Sequence, residues 1–256
     1  MISIITVCYN SEKTIARTFA SVLEQTVLPY EYIVIDGASN DKTIQIINDY
    51  KCEFEKIGIQ FKFVSERDNG LYDAMNKGLS LACGNWLHFL NSDDFYVNKY
   101  VLQNVFSYLK STTASIVYGR TINVNNYIQK VDSVIPETKL SLNMLIGCPV
   151  QQPATFYRRS IFLEHNYKFD LSYRISADYK MFVQMILDDV KFKFVPVFIT
   201  CFDEGGISNI HRNDLVRKEN IRLLNECNVN TILMCLKHNR CFYKVLIILF
   251  QFLSKL

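Results

Sequence analysis

The stretch Trp86–Asp94 reads WLHFLNSDD, a short apolar run that passes directly into four polar residues. Three earlier stretches share this pattern: Ile2–Cys8 ends at YN, Tyr32–Ile35 ends at DG, and Phe61–Ser65 ends at ERD. Apolar runs of this length, bounded by turn residues, are typical of strands that are buried on both faces of a sheet. The sequence therefore predicts four strands, each with a polar tip.

The segments between these strands show helical spacing. Residues 12–26 place Ile15 and Phe19 four positions apart, residues 71–82 continue the pattern, and Asn40 or Asp41 can cap a helix that runs to residue 50. The order β-α-β-α-β-α-β predicts a mostly parallel sheet with crossover helices, in the α/β class.

The second half of the chain is less regular. It contains no repeat and no clear linker, so we expect two halves that share one sheet rather than two independent domains. The patterns predict a hairpin within 115–131 around Asn125-Asn126, helices at 138–146, 176–188 and 211–226, and strands at 153–157 and 191–202.

Composition narrows the class of protein. The 28 lysines and arginines exceed the acidic residues by only three, which gives no reason to expect a nucleic-acid partner. The eight cysteines form no C-x-x-C pair and have no histidine cluster near them, which argues against a zinc site or a disulfide framework. With no signal-peptide pattern and no apolar run of about 18 residues, we expect a cytoplasmic location.

Carboxylates stand at three of the predicted strand tips, and ligands of parallel sheets bind at this edge. Asp36 can accept a hydrogen bond from a base N–H or from a ribose hydroxyl. Asp93 belongs to a turn that can hold Mg²⁺ or Mn²⁺. The alternatives are plain structural roles: Asp41 can start the second helix, and Asp94 can cap a helix after the turn.

Four motifs follow one another along the chain: IITVCYN (4–10), IVIDGASNDKT (33–43), DNGLYDAMNKG (68–78) and GNWLHFLNSDD (84–94). In this order and spacing they resemble those of family 2 glycosyltransferases with the GT-A fold, of the type found in bacterial surface-polysaccharide biosynthesis. The resemblance is dense over residues 2–94 and sparser to about 210. It implies a Rossmann-like nucleotide-sugar half (1–118), an acceptor half (119–210) and a helical extension (211–256).

The resemblance also implies residue roles on the donor side. Asp93 matches the last acid of the family's D-x-D motif and would bind Mn²⁺ or Mg²⁺, while Asn91 departs from the usual first acid. Lys77 near the diphosphate is one reading, and a solvated lysine is the other. The residues implied to contact the nucleotide sugar are Thr6, Tyr9, Asp36, Asp73, Asn76, Asn91 and Ser92.

On the acceptor side, the resemblance implies that Asp178 is the general base of an inverting transfer. The structural alternative is that Ser176 caps a helix and Asp178 only favours its dipole. Gln152 and Arg158 are implied to bind the acceptor. His211 either touches the diphosphate or simply starts a helix.

The expected reaction moves a hexose from a nucleotide sugar, with uridine favoured, to a lipid-diphosphate-linked glycan of the O-antigen or capsule kind. The segment Phe242–Leu253 is too short to span a bilayer and either lies on the inner membrane surface or packs internally. One alternative is an inactive homologue that binds sugar nucleotides or acts as a scaffold. A nucleotidyltransferase is disfavoured because no glycine-rich loop follows the first strand.

Overall fold

A computed structural model of the protein describes residues 1–125, 128–131, 150–203 and 212–226. In its first half, strands and helices alternate as the sequence predicts. The second helix continues to Lys56, beyond the predicted end at residue 50, and the other elements lie within a few residues of their predicted bounds. The elements are β1 (Ile2–Cys8), α1 (Ile15–Leu23), β2 (Glu31–Asp36), α2 (Thr43–Lys56), β3 (Gln60–Ser65), α3 (Leu71–Leu81) and β4 (Trp86–Phe89).

The second half adds five strands to the same sheet. Its elements are β5 (Phe95–Tyr96), α4 (Val101–Ser111), β6 (Ile116–Asn125), β7 (Ile128–Val131), β8 (Thr155–Arg158), α5 (Arg159–Glu164), α6 (Ala177–Leu187), β9 (Phe192–Asp203) and α7 (Arg212–Glu226). The hairpin, α6, β8, β9 and α7 were predicted, whereas α4, β5 and α5 were not. The predicted helix at 138–146 lies outside the described residues.

The nine strands form one sheet in the order β3-β2-β1-β4-β8-β6-β9-β5, with β7 paired to β6. β1 to β4 pair in parallel, so their carboxyl ends meet at one edge. β8 runs antiparallel between β4 and β6, which joins the two halves through continuous hydrogen bonding. The polar strand tips therefore lie on the same edge, as the sequence predicts.

Strand alternation divides the core between the two faces of the sheet. Ile5 and Ile33 point to the face that α3 and α6 cover. Ile4 and Val34 point to the face that α1, α2 and α4 cover. Every residue of β1 and β2 is buried, which explains their continuous apolar sequences.

Buried His88 connects β4 to the turn that precedes β8. Its Nε2 lies 2.9 Å from the Pro153 carbonyl oxygen and must donate there, so Nδ1 accepts from the Tyr96 hydroxyl at 2.8 Å. Burial lowers the pKa of His88 to about 4, which keeps the ring neutral. This histidine has a structural role beneath the edge of the sheet.

Within the described ranges, no helix has the length and hydrophobicity that crossing a membrane requires.

Candidate functional site

The loops after β1 and β2 form a rigid rim at the carboxyl edge of the sheet. The N–H of Asn10 donates to Ser39 Oγ at 2.8 Å, and the N–H of Asn40 donates to Asn10 Oδ1 at 2.9 Å. Asn10 and Ala38 both adopt left-handed backbone conformations, with φ of 50° and 62°. Such conformations are costly for residues other than glycine and persist where surrounding contacts fix them, often at binding sites.

The turn after β4 is fastened to this rim and to α1. Ser92 Oγ lies 2.8 Å from Ser11 Oγ, and the Asp93 carbonyl accepts a hydrogen bond from Arg17 at 2.9 Å. Ser92 and Asp94 are buried, whereas Asp93 remains partly exposed. Asp94 does not cap a helix, because β5 follows it directly and α4 begins only at Val101.

Asn91 and Asp93 offer oxygen ligands of the kind that Mg²⁺ and Mn²⁺ prefer. Asn91 Oδ1 is buried and has no hydrogen-bond partner within the part of the chain that the structure describes. A buried oxygen without a partner costs about 1–3 kcal/mol, so its position suits an incoming ligand. The same ranges contain no cluster of three or more acidic, histidine or cysteine ligands, so such an ion would depend on substrate phosphates too.

Thr6 and Asp36 lie beneath the rim rather than on its surface, and both are 0% exposed. Thr6 Oγ1 lies 2.7 Å from the Tyr32 hydroxyl. Asp36 accepts hydrogen bonds from the Ser39 N–H at 3.0 Å, from the Ser39 hydroxyl, and from the Ser65 hydroxyl at 2.6 Å. The hydrogen bonds of Asp36 therefore hold the loop after β2 in its conformation.

Tyr9 is the nucleoside candidate that the structure leaves accessible. Its side chain is 58% exposed and lies beside Gly37 at the rim. An exposed aromatic ring at the edge of a nucleotide fold provides a surface on which a base can stack.

The α3 candidates are occupied by contacts within the protein. Asp73 accepts a backbone N–H of the turn before α3 at 2.9 Å. Lys77 pairs with Glu66 at 2.8 Å. The Asn76 side chain makes two hydrogen bonds with the backbone of Phe169, both 2.9 Å long, and so ties α3 to the second half. All three side chains are therefore engaged by contacts within the protein, and their roles at the donor site remain predictions.

Asp178 lies in the first turn of α6 and is partly exposed. The Tyr72 hydroxyl lies 3.0 Å from Asp178 Oδ1 and 2.5 Å from the Ile175 carbonyl oxygen. The phenol has one proton and cannot donate to both. It therefore donates to the carboxylate when Asp178 is ionised, and it can turn to Ile175 and accept from Asp178 when Asp178 is protonated.

Burial raises the pKa of the Asp178 carboxyl, and the nearby negative charge of Glu219 contributes in the same direction. The hydrogen bond from Tyr72 acts against this rise. A carboxylate with a raised pKa is a better proton acceptor than an ordinary surface aspartate, as general-base catalysis requires.

Glu219 of α7 holds the turn that carries Asp178, and the sequence interpretation missed it. Its carboxylate is buried and accepts the N–H groups of Arg174, Ile175 and Ser176 at 2.7, 3.1 and 2.9 Å. The Ser176 side chain makes no capping hydrogen bond, and Glu219 binds the N–H groups of the three residues that precede α6 rather than those of its first turn. No local pattern could have indicated a partner 43 residues away from Ser176.

The two acceptor candidates lie in different places. Gln152 is buried, with Nε2 3.4 Å from the Phe89 carbonyl oxygen at the end of β4. Arg158 pairs with Trp86 at the start of β4, and its guanidinium lies 4.6 Å from the centre of the indole ring. The structure thus places Arg158 at the opposite edge of the sheet and does not bring it to the site. His211 lies outside the described residues.

A groove of about 540 Å³ opens beside the Asp178 turn, between the start of α3, the loop at 171–175 and α7. Tyr72 contributes to its wall, which connects the groove to Asp178. Leu171 and Leu215 are apolar components of the wall, Lys218 is a cationic one and Asp214 an acidic one. The groove therefore offers both apolar and charged surface beside the Asp178 turn.

Residues 3–189 match the family described as Glycosyl transferase family 2. The chain belongs to that family. The glycosyltransferase named "PGL/p-HBAD biosynthesis glycosyltransferase Rv2957" from Mycobacterium tuberculosis is 27% identical over 212 residues, which are 82% of this chain and 79% of the relative. The Escherichia coli enzyme "UDP-Glc:alpha-D-GlcNAc-diphosphoundecaprenol beta-1,3-glucosyltransferase WfgD" is 34% identical over 153 residues, 58% of each chain.

Among solved structures, S. aureus TarS in complex with UDP-GlcNAc superposes on 87% of this glycosyltransferase with a TM-score of 0.69 and 18% sequence identity. This chain covers 64% of the TarS chain. The likeness confirms the predicted GT-A fold, and the family match confirms the predicted enzyme class. The individual site residues remain predictions.

Proposed function

We propose that this glycosyltransferase moves a hexose from a UDP-linked donor to a lipid-diphosphate-linked glycan with inversion at the anomeric carbon. The observation that carries the proposal is the placement of Asp178. This partly exposed carboxylate, with its raised pKa, lies 3.0 Å from the hydroxyl of Tyr72, a residue that also lines the groove. One general base is sufficient for a single displacement, whereas retention through a covalent intermediate needs a nucleophile.

In this mechanism, Asp178 accepts the proton of the acceptor hydroxyl as that oxygen attacks the anomeric carbon. The bond from this carbon to the diphosphate breaks, and UDP leaves. The Tyr72 hydroxyl can keep its hydrogen bond with Asp178 before and after the proton transfer, because it donates to the ionised carboxylate and can accept from the protonated form. Glu219 keeps the Asp178 turn in place during the step.

Asn91 and Asp93 would hold Mn²⁺ or Mg²⁺ together with the donor's phosphates. When bound, the metal ion stabilises negative charge on the departing diphosphate. The buried, unpartnered Oδ1 of Asn91, within the described ranges, and the partly exposed Asp93 support this assignment. Ser92, which lies between them, fixes the turn through its hydrogen bond with Ser11.

The proposed classes of donor and acceptor are supported by two similar proteins and by the residues that line the groove. TarS was solved with UDP-GlcNAc, and WfgD is named for a UDP-glucose donor and a diphosphoundecaprenol-linked acceptor. The groove beside the Asp178 turn combines leucines with two cationic side chains, Arg174 and Lys218, against one acidic side chain, Asp214, which suits an acceptor with an apolar part and a phosphate.

We further propose that residues 1–210 form the catalytic domain, with a nucleotide-sugar half (1–118) and an acceptor half (119–210), and that 211–256 extends it. The enzyme would work on the cytoplasmic face of the membrane in surface-polysaccharide synthesis. Residues 242–253, which lie outside the described part, would provide the peripheral membrane contact.

A donor panel tests the proposal. The purified protein is incubated with UDP-glucose, UDP-galactose, UDP-GlcNAc and GDP-mannose, an undecaprenyl-diphosphate-linked sugar, and either Mn²⁺ or EDTA. We expect nucleoside diphosphate release from one UDP-hexose that depends on both metal and acceptor. Tight UDP binding without release from any donor would favour an inactive sugar-nucleotide-binding homologue.

A further inference from the structure

One buried side chain of α7, Glu219, binds the short segment 174–176 that leads into α6. Its carboxylate accepts the N–H groups of Arg174, Ile175 and Ser176 at 2.7, 3.1 and 2.9 Å. Glu219 is only 6% exposed, so these hydrogen bonds form away from water, where they are stronger. Because α6 starts directly after Ser176 and carries Asp178 in its first turn, the position of Asp178 depends on that of the segment.

The other side of segment 174–176 is held by α3. The Tyr72 hydroxyl lies 2.5 Å from the Ile175 carbonyl oxygen and 3.0 Å from Asp178 Oδ1. When Asp178 is ionised, the phenol donates its one proton to that carboxylate and releases the carbonyl. The N–H groups of the segment keep Glu219 as their acceptor in both states, so Glu219 is the contact that holds the segment while Asp178 is ready to act as a base.

Glu219 also brings negative charge close to Asp178. The groups that reach Asp178 from neighbouring helices are the neutral Tyr72 hydroxyl of α3 and the carboxylate of Glu219. Lys180, on the same helix as Asp178, pairs with two other carboxylates at 2.7 Å each. Burial raises the pKa of Asp178, and the charge of Glu219 adds to this rise. Glu219 therefore makes Asp178 a stronger proton acceptor than burial alone does.

α7 also forms one wall of the groove beside the Asp178 turn. Its lining residues there are Asp214, Leu215 and Lys218. The loop at 171–175 forms another wall, and Glu219 binds the backbone of Arg174 and Ile175 within it. Glu219 thus joins two walls of the groove to each other and to the start of α6.

We propose that Glu219 is a positioning residue of the transfer reaction, which fixes the spacing of the groove walls and holds Asp178 where the acceptor hydroxyl arrives. Its charge also keeps Asp178 a strong proton acceptor while that hydroxyl attacks. α7 lies beyond residues 3–189, which match the family, so a helix outside the matched part of the chain completes the general-base site. The inference rests on the general base proposed above and extends it.

The pH dependence of the turnover number in Glu219→Gln tests this role. Asp178 must be ionised to accept a proton, so the wild-type turnover number rises with pH through the pKa of Asp178 to a plateau. Glutamine has nearly the shape of glutamate but has no charge and only one accepting oxygen, so at least one N–H of segment 174–176 loses its acceptor. We expect the plateau to fall at least about tenfold, because small displacements of a catalytic group are costly. The rise should move to lower pH, because loss of the negative charge lowers the pKa of Asp178.

Glu219→Asp and Glu226→Gln separate position, charge and stability. Aspartate keeps the charge but is one methylene shorter, so Glu219→Asp should lower the plateau and move the rise less than Glu219→Gln does. Glu226→Gln removes the same charge from the same helix, but Glu226 pairs with Lys180 and Arg222 rather than with segment 174–176. This control should retain the wild-type plateau and pH profile, even where its melting temperature falls.

Calorimetry with UDP checks the donor half of each variant, and we expect affinities within about threefold of wild type. A rise at the wild-type pH in Glu219→Gln, or a wild-type plateau in Glu219→Asp, would overturn the inference. Loss of UDP binding in Glu219→Gln would assign Glu219 to the fold as a whole and would overturn the inference too. Near-normal turnover of Asp178→Asn would instead contradict the general base itself.

Discussion

Asp178→Asn is expected to lower the turnover number about 1,000-fold while UDP affinity stays within threefold of wild type. General acid–base groups contribute about 10²–10⁴-fold to rate. Asparagine has almost the shape of aspartate and can still accept the hydrogen bond from Tyr72, but it cannot accept a proton at neutral pH. UDP release with acceptor and UDP calorimetry provide the two measurements.

The stability of this variant gives an independent check. Burial raises the pKa of Asp178 in the folded protein, so the folded state binds this proton more tightly than the unfolded state does. The folded protein is therefore stabilised when Asp178 is protonated at low pH, and this stabilisation is lost as the pH rises through the raised pKa. At neutral pH, Asp178→Asn should therefore melt at the wild-type temperature or above.

Asp189→Asn is the control for turnover. Asp189 is an exposed residue just beyond the end of α6, and this variant should retain full turnover. Near-normal turnover of Asp178→Asn would show that Asp178 is not the general base.

Asp93→Asn is expected to lower turnover at least 100-fold and to abolish the effect of Mn²⁺ on UDP affinity. The substitution removes the one partly exposed negative charge of the β4 turn and leaves the backbone contact with Arg17 intact. A metal ion that stabilises the leaving diphosphate would then be bound weakly. Calorimetry with UDP, with and without Mn²⁺, measures the coupling directly.

Asp49→Asn is the charge-matched control for this experiment, since Asp49 is an exposed residue of α2 on the flank of the sheet. Its UDP affinity should respond to Mn²⁺ as the wild type does. If Asp93→Asn also retained the full Mn²⁺ response, the metal would not be bound through Asp93.

The sequence predicts the first half of the fold well because three of its four strands, β1, β2 and β4, are fully buried. Ile2–Cys8 and Glu31–Asp36 lie in the centre of the sheet with helices on both faces, which produces continuous apolar runs that alternate with helical patterns. The unpredicted α4 has a clear buried stripe at Val101, Val105 and Leu109. The short β5 has only two residues and depends on pairing with β9, which no local pattern reveals.

The candidate site was less predictable because its side chains depend on contacts between distant loops. A polar residue in a buried strand looks the same in sequence whether it faces a ligand, as expected for Thr6, or an internal hydroxyl, as observed. Asp68 approaches Gly37 only because the loops after β2 and β3 meet in space. Glu219 reaches the Asp178 turn from α7, which lies beyond the family-matched residues.

The anomeric configuration of the product tests the central claim most directly. The wild-type enzyme is supplied with an α-linked UDP-hexose and the acceptor found in the donor panel, and proton NMR measures the coupling constant at the new linkage. A single displacement with Asp178 as base predicts a β-linked product. An α-linked product would show retention and would contradict the mechanism proposed for this site.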